Sequence, residues 1–298
     1  MRQFTVYAPA KLNLYLDVLD KRPDGYHNIK TLFEKIDLKD EIIVKEGTAG
    51  LDVKVEPASA CPSGKENIVY KALQALFKEA GIEPGIEVTV KKKIPVSAGL
   101  GGGSSDAAAV LRSVNEAFGL DVSFERLFSI AAETGKDVPF FMLDAPFAIG
   151  TGAGETLEPI KTDASFSHVI IRPDARVSTA EMYKRLDGFA GNAQKHSIED
   201  MVSAVKKKDP DLLERSYFNI FEYVLADHSK YIDRAKDLLL KAGSRPCFLS
   251  GSGPSVFCTV EDREEAVKIL KGIPEEQGID IFLATTYNSL AKGGHLWR

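Results

Sequence analysis

The segment Pro95-Val96-Ser97-Ala98-Gly99-Leu100-Gly101-Gly102-Gly103-Ser104-Ser105 sets four glycines in five positions between a strand pattern and a helix pattern. Glycine loses more backbone freedom on folding than any other residue, so such a run needs what only a missing Cβ supplies. Here that is close approach of main-chain N–H groups to something large and negative. Ile86–Val90 reads as the strand, and Lys91-Lys92-Lys93 leads from it into the loop. Ser104–Phe118 carries apolar residues at Ala107, Ala108, Val110, Leu111, Val114, Ala117 and Phe118, one helical face that Gly119 closes. A helix starting there aims free N–H groups and its positive dipole end at the loop. Ser104 and Ser105 can cap it or donate hydroxyls to phosphate oxygens. No lysine follows the glycines, so this is no Walker loop, and serine at 104 spoils a dinucleotide fingerprint. The alternative is a flexible turn without a ligand; glycine density favours phosphate binding.

A chain of 298 residues suggests two domains, and 44% hydrophobic with 27% charged residues is an ordinary globular mix. Two such cores need no disulfides. Cys61, Cys247 and Cys258 are scattered, odd in number and without a CxxC pair, which suits a reducing compartment and offers no metal framework. The net charge of −5 argues against nucleic acid as a partner. Met1-Arg2-Gln3-Phe4 enters an alternating segment at once, without a signal-peptide pattern, and no apolar run approaches the roughly 18 residues of a membrane span. The expectation is a soluble, cytoplasmic protein. His27, His168, His196, His228 and His295 show no metal spacing, and no GxSxG elbow marks a serine hydrolase.

Phe4–Ala8 and Leu12–Leu19 read as strands, the second putting Lys11 and Asn13 on one face opposite Leu12, Leu14, Leu16 and Val18. Arg22-Pro23-Asp24-Gly25 reads as a type I turn. Further strands are expected at Thr31–Ile36, Glu41–Lys45 and Leu51–Val55, and helices at Glu66–Ala80 and Phe124–Thr134. The second half reads as strand His168–Arg172, helices Thr179–Leu186, Ile198–Lys207, Pro210–Val224 and Ser229–Ala242, strands Cys247–Ser250 and Val256–Val260, helix Arg263–Gly272 and strand Asp280–Ala284. With consecutive helices merged this is β-α-β-β-α-β, the order of a ferredoxin-like sandwich. The domain boundary is expected near Glu158.

Phosphoryl transfer from ATP to a hydroxyl needs alignment, charge neutralisation and a proton acceptor. Asp137, in Gly135-Lys136-Asp137-Val138-Pro139-Phe140-Phe141, is a carboxylate before an apolar run, either facing a cleft or serving as an N-cap. Lys11 is either a functional cation or a solvated one. The lysines at 91–93 are a solvated strand end, or one of them helps neutralise phosphates. Ser250-Gly251-Ser252-Gly253-Pro254-Ser255 alone is a hairpin turn or part of the same site. Tyr26 and Tyr183, taken singly, read as core aromatics.

Together, Pro9-Ala10-Lys11, the Pro95–Ser105 loop and the late Gly-Ser-Gly-Pro-Ser cluster resemble the GHMP kinases across nearly the whole chain. Ala8-Pro9-Ala10-Lys11-Leu12-Asn13-Leu14, Lys21-Arg22-Pro23-Asp24-Gly25-Tyr26-His27, Gly135–Phe141 and Gly152–Pro159 resemble one branch, the 4-diphosphocytidyl-2-C-methyl-D-erythritol kinase family. The resemblance implies an α+β, two-domain fold: a ribosomal-protein-S5-like β-α domain over residues 1–158 and a ferredoxin-like α/β sandwich over 159–298. It implies ATP with Mg2+, and a small-molecule substrate, the cytidine diphosphate conjugate of methylerythritol. It further implies no nucleic-acid or membrane partner, and a monomer or weak homodimer. By position, Asp137 would be the base that takes the C2 hydroxyl proton, with Lys11 paired to it. Tyr26 and Tyr183 would sandwich cytosine and His27 would read its polar edge. Asn13 and Thr179 would contact substrate together with Ser252 and Gly253, while residues 95–105 wrap ATP. Ser97 stands where glycine or alanine is common in the family, and Lys136 where a small residue is frequent.

Overall fold

The computed structural model describes residues 2–287, so His295 lies outside the described residues. β1 (Gln3–Lys21) and β2 (His27–Glu46) form one long antiparallel ribbon. The expected turn joins them, Gly25 N donating to Arg22 O at 3.1 Å. Each of these strands was expected as two shorter ones. They run continuously because the register slips between Pro9 and Ala10; a bulge there accommodates a residue that cannot donate to the ladder. β3 (Gly50–Glu56) is followed by α1 (Ile68–Ala80) and by β4 (Gly85–Lys91), which lies parallel to β3 and antiparallel to β2. Asn67 caps α1 by accepting from Val69 N, and Gly81 ends it in the left-handed conformation at φ 68°. α2 (Gly102–Phe118) starts inside the glycine run, two residues earlier than expected, with α3 (Phe124–Thr134) and the short α4 (Val138–Met142) after it. The hairpin β5 (Phe147–Thr151) and β6 (Thr156–Pro159) adds to β2 through β5. Its strands are too short to carry a periodic signal.

β7 (Ser167–Pro173) opens the second sheet, and α5 (Thr179–Asp187), α6 (Ile198–Lys207) and α7 (Pro210–Ser216) follow. The expected helix Pro210–Val224 stops at Ser216. β8 (Phe218–Asn219) instead pairs in parallel with Tyr15 and Leu16 of β1, and a 3-10 turn runs over Ile220–Val224. Tertiary contacts override helix propensity here: Asn219 donates to Leu249 O and Gly251 O, both at 2.9 Å, and caps the turn by accepting from Phe221 N. α8 (Ser229–Lys241), β9 (Phe248–Leu249), β10 (Val256–Val260), α9 (Arg263–Gly272) and β11 (Ile279–Thr285) complete the described chain. The strand order β11-β7-β10-β9, antiparallel throughout, is that of a ferredoxin-like sandwich.

One apolar core packs α1–α3 on the first sheet, and the other spans β1, β2 and the second sheet. The halves are also tied by fully buried polar groups. Glu34 Oε1 accepts from Thr286 Oγ1 at 2.6 Å and lies 3.0 Å from His168 Nε2. After β6 the chain opens the second sheet with β7, and only the short β8 returns to the first; we propose the domain division at the β6–β7 junction, beside Glu158. No helix among the described residues is long and apolar enough to cross a membrane.

Candidate active site

Alternation along β1 puts Lys11 and Asn13 on one face, but that face is covered: they are 4% and 2% exposed. Lys11 is therefore not a solvated lysine. Its Nζ donates to Asn13 Oδ1 at 2.6 Å and lies 3.5 Å from Asp137 Oδ2. The Asn13 amide is oriented by a relay of fixed polarity. Tyr15 O can only accept, so the Thr31 hydroxyl donates to it at 2.6 Å. Thr31 Oγ1 then accepts from Asn13 Nδ2 at 2.9 Å, which leaves Asn13 Oδ1 facing Lys11. Asp137 precedes α4 yet makes no side-chain cap bond. Its carboxylate is one-third exposed and turned to Lys11 instead.

The glycine loop lies against this pair. Gly99 (φ 76°) and Gly101 (φ 69°) are left-handed, and a Cβ on Gly101 would come within 2.9 Å of Lys11 Cγ. Ser97 takes a positive φ of 54° without being glycine, so the loop holds one strained residue. The cluster at 250–255 is a hairpin turn and also a brace: Ser250 Oγ donates to Gly99 O at 3.0 Å, and Ser255 N to Ala98 O at 3.4 Å. Thr179 Oγ1 and Ser252 Oγ are 2.8 Å apart.

Two of the three lysines in the run are paired with carboxylates. Lys91 pairs with Glu41 at 2.9 Å, and Lys92 Nζ sits 2.5 Å from Asp40 and 2.8 Å from Asp106. Burial opposes the charge on Lys92, but the carboxylates of Asp106 and Asp40 outweigh it and push its pKa up. Burial also pushes the Asp106 carboxyl well above its usual range. Lys92 thus bridges two buried acids beneath the loop. Asp40 additionally accepts from the backbone N–H groups of Lys93 and Ile94, pinning the loop's entry. A lysine triplet in sequence carries no mark of buried partners on other elements, 14 and 52 residues away.

These elements enclose a cleft of about 900 Å³. It brings together Lys11, Asn13, Tyr26, His27, Asp137, Thr179, Tyr183 and Ser252 with most of the loop: Pro95, Val96, Ser97, Ala98, Gly99, Gly101, Gly102, Gly103 and Ser104. Three expected residues do not line it. Leu100 points into the core, Ser105 faces a separate small cavity beside Lys35 and Arg112, and Gly253 packs on Leu249. Left-handed turns at Gly99 and Gly101 send the intervening side chain inward. One end of the cleft is lined by Cys61, Pro62, Asn67 and Ile68, which sequence patterning did not single out. At the other end Tyr26 is 52% exposed, with Lys136 Nζ 4.9 Å from its ring centroid, so Tyr26 is not a core aromatic. Tyr183 stacks on His27 at 4.9 Å and meets Phe221 edge-on. Burial, aided by the Asp137 charge, pushes the Tyr183 hydroxyl up to about 12, keeping it a neutral ring.

The donors fit ATP: unhindered loop amides, a helix N-terminus and a buried lysine beside a carboxylate. For Mg2+, no cluster of three acidic, histidine or cysteine ligands exists among the described residues. Mg2+ keeps waters and takes phosphate oxygens, so it needs few protein donors, and the Ser104 hydroxyl lines the cleft at the N-terminus of α2 to serve as one.

Residues 67–145 match the family model of the GHMP kinases N terminal domain, and residues 201–280 that of the GHMP kinases C terminal. A 4-diphosphocytidyl-2-C-methyl-D-erythritol kinase of Exiguobacterium sibiricum is 37% identical over 269 residues, covering 90% of this chain and 93% of its own. One of Geobacter metallireducens is 40% identical over 270 residues, 89% of this chain and 92% of its own. A crystal structure of a 4-(cytidine 5'-diphospho)-2C-methyl-D-erythritol kinase superposes with a TM-score of 0.78 at 30% identity, over 94% of this chain and 98% of the other.

Proposed function

The chain belongs to the 4-diphosphocytidyl-2-C-methyl-D-erythritol kinase family of GHMP kinases, and from that membership we propose how its cleft does the family's work. The reaction transfers the γ-phosphoryl group of ATP to the C2 hydroxyl of 4-diphosphocytidyl-2-C-methyl-D-erythritol. It yields the 2-phosphate and ADP, in non-mevalonate isoprenoid precursor synthesis. The observation that carries the residue assignment is the Lys11–Asp137 pair, 3.5 Å apart at the mouth of the glycine loop.

Asp137 accepts the proton as the C2 oxygen attacks phosphorus and the bond to ADP breaks. Lys11 pairs with that carboxylate and offsets charge on the moving phosphoryl group. Asn13 holds Lys11 and, with Thr179 and Ser252, orients the substrate. The cytidine lies at the Tyr26–His27–Tyr183 end, and ATP extends along residues 95–104 toward Cys61 and Asn67. Mg2+ accompanies ATP and supplies further charge neutralisation. The setting is the cytoplasm, with the protein a monomer or weak homodimer. Purified protein should release ADP only when the cytidyl substrate is present; turnover of mevalonate or homoserine instead would sink this assignment.

Thr31→Val keeps the shape but cannot accept from Asn13. Loss of alignment should lower kcat by about 10²-fold with ATP KM nearly unchanged. Losing the hydrogen bonds of Thr31 Oγ1 to Tyr15 O and Asn13 Nδ2 should cost about 1–3 kcal/mol of stability. Thr31→Ser should restore both, and steady-state kinetics beside thermal denaturation decide the matter.

Thiol labelling tests the direction of ATP. Burial raises the Cys61 thiol somewhat, and lifts Cys247 to about 11 and Cys258 to about 12. Cys61, half-buried at the cleft, should alkylate slowly but first; the other two should react only on unfolding. A non-hydrolysable ATP analogue should protect Cys61, as read by mass spectrometry. Protection by the cytidyl substrate alone would reverse the two ends.

A further inference from the structure

Asp187, the last residue of α5, grips the ring that faces the base. His27 Nε2 lies 2.7 Å from Asp187 Oδ1, and Lys21 Nζ lies 2.5 Å from Oδ2 of the same carboxylate. The His27 side chain is only 9% exposed and is stacked on Tyr183, so its ring plane is set from two sides. Hydrogen bonds from Lys21 and His27 hold the Asp187 carboxyl below its usual range, which keeps it an ionised acceptor.

A carboxylate can only accept, so Nε2 carries the proton given to Asp187. In the neutral ring Nδ1 is then a bare lone pair. Among the described residues no hydrogen bond engages it. We propose that Asp187 is the positioning residue that makes this site select a 4-amino pyrimidine, by locking His27 in the form that presents an acceptor to the base. The inference rests on the proposed contact between His27 and the base edge. Cytosine offers an amino donor at position 4. Uracil offers a carbonyl there, and two lone pairs would face each other. A polar site of this kind discriminates through the group left unpaired.

Asp187→Asn gives a signed test. Lys21 still needs an acceptor and takes the amide oxygen, so the NH2 turns to His27. Nε2 must then accept, the ring proton moves to Nδ1, and the edge shown to the base inverts. The kcat/KM for the cytidyl substrate and for 4-diphosphouridyl-2-C-methyl-D-erythritol would be measured near pH 8.5, well above the ordinary imidazole range of about 6.5. The cytidyl-to-uridyl ratio should fall by at least about tenfold, a change of about 1.4 kcal/mol. The uridyl kcat/KM should rise in absolute terms with ATP KM unchanged. Nitrogen NMR of His27 should show the tautomer exchanged. Equal losses on both substrates overturn the proposal, because mere damage to α5 would produce them. His27→Phe separates the layers. If it leaves the ratio intact, the base contact itself is wrong; if it lowers the ratio while Asp187→Asn does not, the contact stands and Asp187 has no part in selection.

Discussion

Asp137→Asn should lower kcat by about 10³-fold, within the 10²–10⁴ range of a positioned general base, while ATP KM stays near its wild-type value. The amide keeps the size of the carboxylate and its distance to Lys11, but it cannot take a proton. Because the carboxylate is 35% exposed, its ion pair with Lys11 adds little to stability. The variant should therefore unfold close to the wild-type temperature, so lost turnover cannot be put down to unfolding. The loss should appear in kcat and kcat/KM alike, as for an interaction made only in the transition state. Turnover within tenfold of wild type would remove Asp137 from proton transfer and leave Lys11 with a purely electrostatic role.

The loop was legible because four glycines in five positions are hard to explain without a ligand. Which of its residues face that ligand was not. Leu100 is aimed away by left-handed turns at Gly99 and Gly101, and Ser105 by the face of α2 on which it falls; backbone dihedrals leave no trace in a residue string. The period of β1 correctly paired Lys11 with Asn13. It could not reveal that their polar face is roofed over, since that depends on the loop and on α4. The same gap explains Lys92, whose partners Asp40 and Asp106 lie on other elements. Helix Pro210–Val224 failed for a related reason: its second half is claimed by β1 and by the Leu249–Gly251 carbonyls. Asp187 sits at the end of an expected helix and looks like any surface carboxylate until His27 and Lys21 are seen on it.

Gly99→Ala is expected to disable the site through the second domain's hairpin, against which the loop is packed. Its Cβ would stand 2.1 Å from Ser250 O and 3.3 Å from Gly253 O, at a φ of 76°. The left-handed conformation alone costs an L-residue about 1–2 kcal/mol. The clash cannot be relieved by a rotamer change, because the obstacle is backbone of the opposing hairpin. The loop must lift away, breaking the Ser250–Gly99 and Ser255–Ala98 bonds and disturbing Leu100 O, which accepts from Lys11 N at 3.0 Å. We expect a stability loss of about 3 kcal/mol, at the upper end for single substitutions, with ATP KM raised at least tenfold and kcat falling as Lys11 shifts. Gly103→Ala isolates the cause. Its Cβ would meet only Ile68 Cγ2 at 3.5 Å, an ordinary contact inside a helix. Alanine there favours the helix by up to about 1 kcal/mol, so this variant should be as stable as wild type and lose only ATP affinity, if phosphate lies close over the N-terminus of α2. Normal ATP affinity and stability in Gly99→Ala would mean that the second domain's hairpin does not hold the loop in shape, and the two glycine clusters would then be neighbours without a shared task.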